Sequence, residues 1–211
     1  MNTIGQTALG IIVLCLLGIL VGVKRVATGS ILGEKPQGGF LISAVNVFNL
    51  FFLLVANPVA GILLITHRMD TFDPTRLTIN VPWLLTGLET VGLLLYVIGF
   101  FLMAWALIHL GRNYQLGGNA PLETNELITT GPYRLVRHPM YTAALCIALG
   151  LACLIQSLAY LAVFVIYLVL MIFLVPFEEQ GLRRAYGERY EAYRTTVGAL
   201  LPLNLHTRRA P

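Results

Sequence analysis

The chain has 211 residues, of which 57% are hydrophobic and 11% are charged, with a formal net charge of +4. Soluble domains have about 45–50% apolar and about 25% charged residues, so this composition excludes a soluble enzyme, a disordered chain and a secreted disulfide scaffold. We therefore expect an integral membrane protein, whose excess of basic residues follows the positive-inside rule and does not indicate a nucleic-acid partner.

Four long stretches contain no charged side chain: 1–23, 36–66, 90–111 and 138–177. A membrane-spanning helix needs about 20 predominantly apolar residues. The first three stretches therefore predict one span each, at about 4–23, 39–66 and 81–110. The first run lacks a basic leader and a small-residue cleavage site, which favours a span over a signal peptide.

The fourth stretch is too long for one helix and suits two. Its only polar break is Gln156-Ser157, which predicts a tight hairpin between spans at about 141–155 and 158–177. In the second span, Pro58 predicts a kink after Asn57, because proline removes a backbone donor and clashes with the preceding turn.

Five spans place the basic residues asymmetrically. Twelve of the fourteen Lys and Arg residues follow the first, third or fifth span, and only Arg68 and Arg76 fall on the other side. The positive-inside rule then puts the N-terminus outside and the C-terminus in the cytoplasm, in a cell inner membrane or an endomembrane. Four or six spans would split the basic residues between the two faces.

The segment after the fifth span predicts an amphipathic helix that enters the cytosol and lies on the bilayer surface. Its apolar face has spacings of four, four, three and four residues and comprises Leu182, Tyr186, Tyr190, Tyr193 and Val197. The predicted fold is thus an all-α integral membrane domain over residues 1–211. Residues 1–110 hold three N-terminal helices, and residues 111–202 hold a polar loop, the hairpin and the C-terminal helix.

The segment 131–141, GPYRLVRHPMY, combines a Gly-Pro turn with a proline suited to the first position of a helix. Arg134, Arg137 and His138 therefore gather at a helix N-terminus, where the helix dipole favours an anion. A cluster that only sets membrane topology is the alternative.

Glu178 and Glu179 follow the fifth span, and taken alone they are typical of a solvated helix end. The hairpin, however, brings the end of the fifth span beside the start of the fourth. The basic cluster and the carboxylate pair then face each other across one cytoplasmic pocket, which suits a zwitterionic ligand or a simple ion-pair latch. Glu89 is a further candidate because a carboxylate within a membrane is costly. No metal-binding constellation is recognisable in the sequence.

Both segments resemble hallmarks of the isoprenylcysteine carboxyl methyltransferase and phospholipid methyltransferase superfamily. The first hallmark is Gly131-Pro132-Tyr133-Arg134 followed by Arg137-His138-Pro139-Met140-Tyr141. The second is the Glu pair followed by Leu182, Tyr186-Gly187, Tyr190, Tyr193 and Pro202. Together the two hallmarks span about residues 111–202.

The resemblance implies a methyltransferase that uses S-adenosyl-L-methionine from the cytosol. It also implies cofactor contacts at eleven positions: Gln115, Asn125, Glu126, Leu127, Ile128, Tyr133, His138, Pro139, Met140, Tyr141 and Glu178. The methionine part of the cofactor is a zwitterion, whose carboxylate would lie at His138 and its amine near Glu178. Tyr133 and Tyr141 could surround the sulfonium.

Methyl transfer requires alignment of the two reactants and exclusion of water. A carboxylate acceptor needs no base, whereas an amine or thiol does, and Glu179 is the candidate base. Arg137 is the second catalytic candidate. The acceptor is expected to be a small molecule or a lipophilic one, including a membrane lipid.

One departure bears on the acceptor. Prenylcysteine-specific members carry an arginine one turn before the Glu pair, where this chain has Leu174. This difference argues against prenylcysteine. The alternatives are an NADPH-dependent sterol-reductase-like enzyme, which shares a related basic-His-Pro segment, and a non-catalytic membrane scaffold.

Overall fold

The computed structural model describes residues 3–29, 40–111 and 126–202. Within these ranges the chain is helical, and the only β-type pairing consists of isolated bridges. The α-helices are α1 Thr3–Thr28, α2 Phe40–Phe51, α3 Asn57–Ile65, α4 Met69–Phe72, α5 Pro82–Leu110, α6 Pro139–Ile155, α7 Leu158–Tyr186 and α8 Glu188–Thr196.

In the part of the chain that the structure describes, four helical stretches are long and apolar enough to cross a membrane: Gly5–Thr28, Phe40–Ile65, Pro82–Leu110 and Leu158–Tyr186. The predicted fourth span corresponds to α6, which has 17 residues. At 1.5 Å per residue it is about 25 Å long, slightly less than the ~30 Å hydrocarbon core of a bilayer. Over the described residues, an all-helical fold with several apolar membrane-length helices is confirmed, and the count of five spans stays a prediction.

The second span is interrupted just before Pro58, where a π-helical turn over Phe52–Ala56 joins α2 to α3. The buried Asn57 side chain donates to the Phe52 carbonyl at 3.0 Å and accepts from the Tyr96 hydroxyl at 2.9 Å. Proline prevents a regular α-helix through this point. The irregular turn is therefore tied to α5 by a side-chain bond that is buried inside the protein.

Helices α5 and α6 pack with their backbones almost in contact. A Cβ atom added to Gly150 would lie 2.6 Å from the Tyr96 nitrogen and 2.8 Å from the Gly92 oxygen. Small residues allow this approach, which is how helices associate in membranes. The contact aligns the end of α5 with the start of α6, and the Gly131-Pro132 turn lies between these two helices in sequence.

We expect Gly150→Ala to destabilise the protein by about 1–3 kcal/mol, because the added methyl group meets backbone atoms that cannot rotate away. Gly87→Ala is the matched control, since a Cβ there meets nothing within 4 Å. Both variants gain the same helix propensity, so their difference isolates the packing. Thermal unfolding of the two variants in detergent measures it, and equal midpoints would contradict the close packing.

Two residues join α6 to α7. Gln156 adopts a left-handed conformation with φ of 52°, and the Ser157 hydroxyl accepts from the Tyr160 amide. Two hydrogen bonds from the loop after α4 hold this turn. The Leu77 amide donates to the Gln156 carbonyl at 2.8 Å, and the Arg76 Nε donates to the Ile155 carbonyl at 3.0 Å. Because α6 and α7 also pack on each other, the start of α6 lies beside the last turns of α7.

The C-terminal segment differs from the prediction of one continuous amphipathic helix. Gly187 has φ of 54°, a conformation suited to glycine, and separates α7 from α8. Tyr190 and Tyr193 of the predicted apolar face are buried inside the protein. The face therefore packs against the rest of the chain, which the spacing of apolar residues could not distinguish from packing on a bilayer.

Candidate functional site

The site lies where the start of α6, the last turns of α7 and the segment after α8 meet. We call residues 197–200 the C-terminal strap. The amides of Arg137 and His138 donate to the carbonyls of Gly198 and Ala199 at 2.8 and 3.0 Å. The Thr142 hydroxyl donates to the Leu200 carbonyl at 2.8 Å. The strap thus pairs with the residues that precede α6.

Arg137 and Glu179 form a buried ion pair at the centre of this junction. The Arg137 Nε and Nη2 atoms both donate to Glu179 Oε1, with the Nε at 2.9 Å. The Nη1 atom donates to the carbonyls of Arg194, at 3.2 Å, and Val197. The guanidinium charge is therefore compensated within the protein, and one side chain joins the segment before α6 to α7, α8 and the C-terminal strap.

His138 lies between the two carboxylates. Its Nε2 is 3.4 Å from Glu179 Oε1, and its Nδ1 is 3.7 Å from Glu178 Oε2. The imidazole stacks on Tyr141, with ring centroids 5.6 Å apart and planes 13° apart. Glu178 Oε2 is buried and has no hydrogen-bond partner among the described residues. A buried carboxylate oxygen without a donor is costly, so this atom indicates where a cationic or hydrogen-bonding ligand would fit.

The turn before the site is held by two contacts. A 3₁₀ turn, Gly131–Arg134, carries the buried Tyr133, whose carbonyl accepts from the Tyr193 hydroxyl at 2.5 Å. A Cβ atom at Gly131 would lie 2.3 Å from the His109 ring. Glycine is therefore required there, both for space and for its φ of 59°. These contacts attach the turn to α5 and α8.

The structure brings five of the predicted site residues together: Arg137, His138, Tyr141, Glu178 and Glu179. Pro139 is buried as the first residue of α6, and Met140 packs against the main hydrophobic core. Glu126, Leu127 and Ile128 lie in irregular backbone before the 3₁₀ turn. Gln115 and Asn125 lie outside the described residues.

Sequence reasoning missed part of this site. Arg134, expected on the cationic wall, is exposed. The ion pair is bordered by Tyr190, Tyr193 and the carbonyls of Arg194 and Val197, which were not among the candidates. The spacing of Tyr186, Tyr190 and Tyr193 by four and three residues was the available signal, but it indicates one face of a helix and not what that face contacts.

Residues 88–189 match the model of the phospholipid methyltransferase family. A probable protein-S-isoprenylcysteine O-methyltransferase of Oryza sativa is 34% identical over 116 residues, which are 53% of this chain and 60% of the rice protein. The protein-S-isoprenylcysteine O-methyltransferase B of Arabidopsis thaliana is 26% identical over 117 residues, 54% of this chain and 59% of that protein. The cobalt-zinc-cadmium resistance protein CzcN of Cupriavidus metallidurans is 36% identical over 85 residues, 40% of this chain and 39% of that protein.

The chain thus spans about 60% of the length of the plant relatives that it matches. The matched region contains α6, α7 and every residue of the Arg137, His138, Glu178 and Glu179 cluster. The resemblance carried by the two motifs is confirmed: residues 88–189 are a region of the isoprenylcysteine carboxyl methyltransferase and phospholipid methyltransferase superfamily.

Proposed function

We propose that this protein is an integral membrane methyltransferase that uses S-adenosyl-L-methionine and acts on a small or lipophilic acceptor at the cytoplasmic face. The observation that carries the proposal is the buried Glu178 oxygen without a partner, beside His138, within a region of a methyltransferase superfamily. The proposed topology has five spans, with α6 as the shortest, the N-terminus outside and the C-terminus in the cytosol.

The described residues fit the methionine part of this cofactor. Glu178 would bind its ammonium group, and His138 would bind its carboxylate. Tyr133 and Tyr141 would place electron-rich rings near the sulfonium. From the resemblance alone, we propose further cofactor contacts by the backbone and side chains of Glu126, Leu127 and Ile128, and by Pro139, Met140, Gln115 and Asn125.

The bound cofactor supplies an activated methyl group, so the protein needs only to orient the acceptor and exclude water. A carboxylate acceptor requires no proton transfer. An amine or thiol acceptor must lose a proton, and Glu179 with Arg137 is the proposed catalytic pair for that step. The apolar helices would admit an acceptor with a hydrocarbon part from the bilayer.

Isothermal titration calorimetry with S-adenosylhomocysteine on the detergent-purified chain tests the proposal. We expect the wild type to bind, and Glu178→Ala and His138→Ala to weaken binding about 10-fold or more, because each removes a partner of a charged ligand group. Glu188→Ala, which removes an exposed carboxylate of α8, should bind like the wild type.

Folded wild-type protein that does not bind, or undiminished binding by both site variants, would overturn the proposal. Binding of NADPH in place of S-adenosylhomocysteine would favour the reductase alternative. Binding of neither molecule would favour a membrane scaffold.

A further inference from the structure

Tyr190 is fully buried, with 0% of its surface exposed, and its hydroxyl proton has no acceptor within the described residues. It lies on α8, with its ring 6.1 Å from that of Tyr193 in a T-shaped arrangement. A buried tyrosine hydroxyl normally finds a partner. Its neighbour Tyr193 follows this rule by donating to the Tyr133 carbonyl.

The surroundings of Tyr190 are those of the candidate site. The Tyr190 hydroxyl lies in the field of Glu179, Arg137 and Glu178, and the Arg137 guanidinium is placed to donate to its oxygen. Burial, and then the charge of Glu179, raises the pKa of Tyr190 above its ordinary value, so the phenol stays protonated. An arginine can only donate. The Arg137 guanidinium therefore cannot accept the phenol proton, and that donor is unused.

The proposed carboxylate site needs such a donor. The amides of Arg137 and His138 already bind the strap carbonyls, and Pro139 has no N–H group. The start of α6 therefore offers fewer backbone donors to an anion than its sequence indicates. The charge of Arg137 is likewise taken up by Glu179.

Two unsatisfied groups of opposite character thus occur in one cluster. Glu178 Oε2 lacks a donor, and the Tyr190 hydroxyl lacks an acceptor. Native structures leave few buried polar groups unpaired, and each needs an explanation. A single molecule that carries both a cationic donor and an anionic acceptor would satisfy the two groups together.

We propose that Tyr190 is a ligand-binding residue, whose hydroxyl donates to the anionic oxygen of a zwitterion that Glu178 binds by its cationic group. The ligand class is an α-amino acid moiety. The assignment rests on the proposed function, in which this moiety is the methionine part of the cofactor.

The test compares Tyr190→Phe with Tyr193→Phe in the full-length chain, using calorimetry and thermal unfolding. The ligands are S-adenosylhomocysteine and its decarboxylated analogue, which keeps the amine and lacks the carboxylate. We expect Tyr190→Phe to lose about 5- to 10-fold in affinity for S-adenosylhomocysteine and nothing for the analogue. Its melting temperature should stay constant or rise, because the substitution removes a buried donor without an acceptor.

Tyr193→Phe should give the opposite result. It removes a satisfied hydroxyl, so we expect its melting temperature to fall by about 2–4 °C while the preference for the carboxylated ligand is kept. A Tyr190→Phe variant that keeps the wild-type preference overturns the Tyr190 assignment alone. Equal weakening for both ligands with a lowered melting temperature overturns it too, since it shows a structural role. Folded wild-type protein that binds neither ligand overturns the proposed function and this assignment with it.

Discussion

Arg137→Met is expected to destabilise the protein by about 3–5 kcal/mol, a melting-temperature loss of roughly 10 °C for a chain of this size. The guanidinium and the Glu179 carboxylate are both buried, with 9% and 10% of their side chains exposed. Removing Arg137 leaves the carboxylate buried without its partner. It also leaves the carbonyls of Arg194 and Val197 without this donor. Thermal unfolding in detergent measures the effect.

Arg183→Met is the matched control. Arg183 pairs with Glu191 at 2.9 Å, but the two side chains are 43% and 44% exposed. An exposed ion pair contributes about 0–1 kcal/mol, so the melting temperature should change little. The double variant Arg137→Met with Glu179→Met should recover part of the loss, because no unpaired charge is left buried. Equal small losses in the two arginine variants would show that water reaches Glu179.

The buried pair couples the stability of the fold to the assembly of the site. Arg137 precedes His138, and Glu179 follows Glu178. Each ligand-facing candidate is thus adjacent in sequence to one half of the ion pair. Bringing Arg137 to Glu179 therefore also brings His138 to within 3.7 Å of Glu178.

The helices were largely predictable because they follow from local properties. Charge-free runs set the approximate positions of α1, α5, α6 and α7, and Gln156-Ser157 marked the turn between α6 and α7. The predicted third span, at 81–110, differs from α5 by one residue. The sequence also predicted that Arg137 and His138 face the carboxylates, since two helices joined by a short turn must bring their far ends together.

The partners within the site were not predictable from sequence. The Arg137 charge was expected to face a ligand, but it meets Glu179 and the carbonyls near the end of α8. Those carbonyls reach the site only because Gly187 redirects the chain after α7. These contacts depend on the break between α7 and α8, and the spacing of apolar residues does not indicate in which direction the chain continues after it. The Asn57–Tyr96 bond is a similar case, since it joins residues 39 positions apart.

A prenylated cysteine with a free carboxylate is expected to be a poor acceptor for this protein. Its kcat/KM should be at least ~100-fold below that of a prenylcysteine methyltransferase, because a carboxylate without a compensating charge is costly in an apolar site. The resemblance to prenylcysteine-specific members of the superfamily implies an arginine at the position of Leu174. The Leu174 side chain is fully buried and packs in a cluster with Ile42, Val45, Tyr167 and Met171. Leu174 lies one turn before Glu178, and this apolar cluster offers no charge to compensate a carboxylate.

The measurement is transfer of a radiolabelled methyl group from S-adenosyl-L-methionine to N-acetyl-S-farnesylcysteine. The Arabidopsis relative, whose name states this activity, serves as the positive control, and a membrane lipid extract serves as a second acceptor pool. We expect label in the lipid extract and little in the farnesylcysteine. Comparable rates for this chain and the Arabidopsis protein would contradict the prediction. They would show that a residue elsewhere compensates the acceptor carboxylate and that Leu174 does not determine acceptor choice.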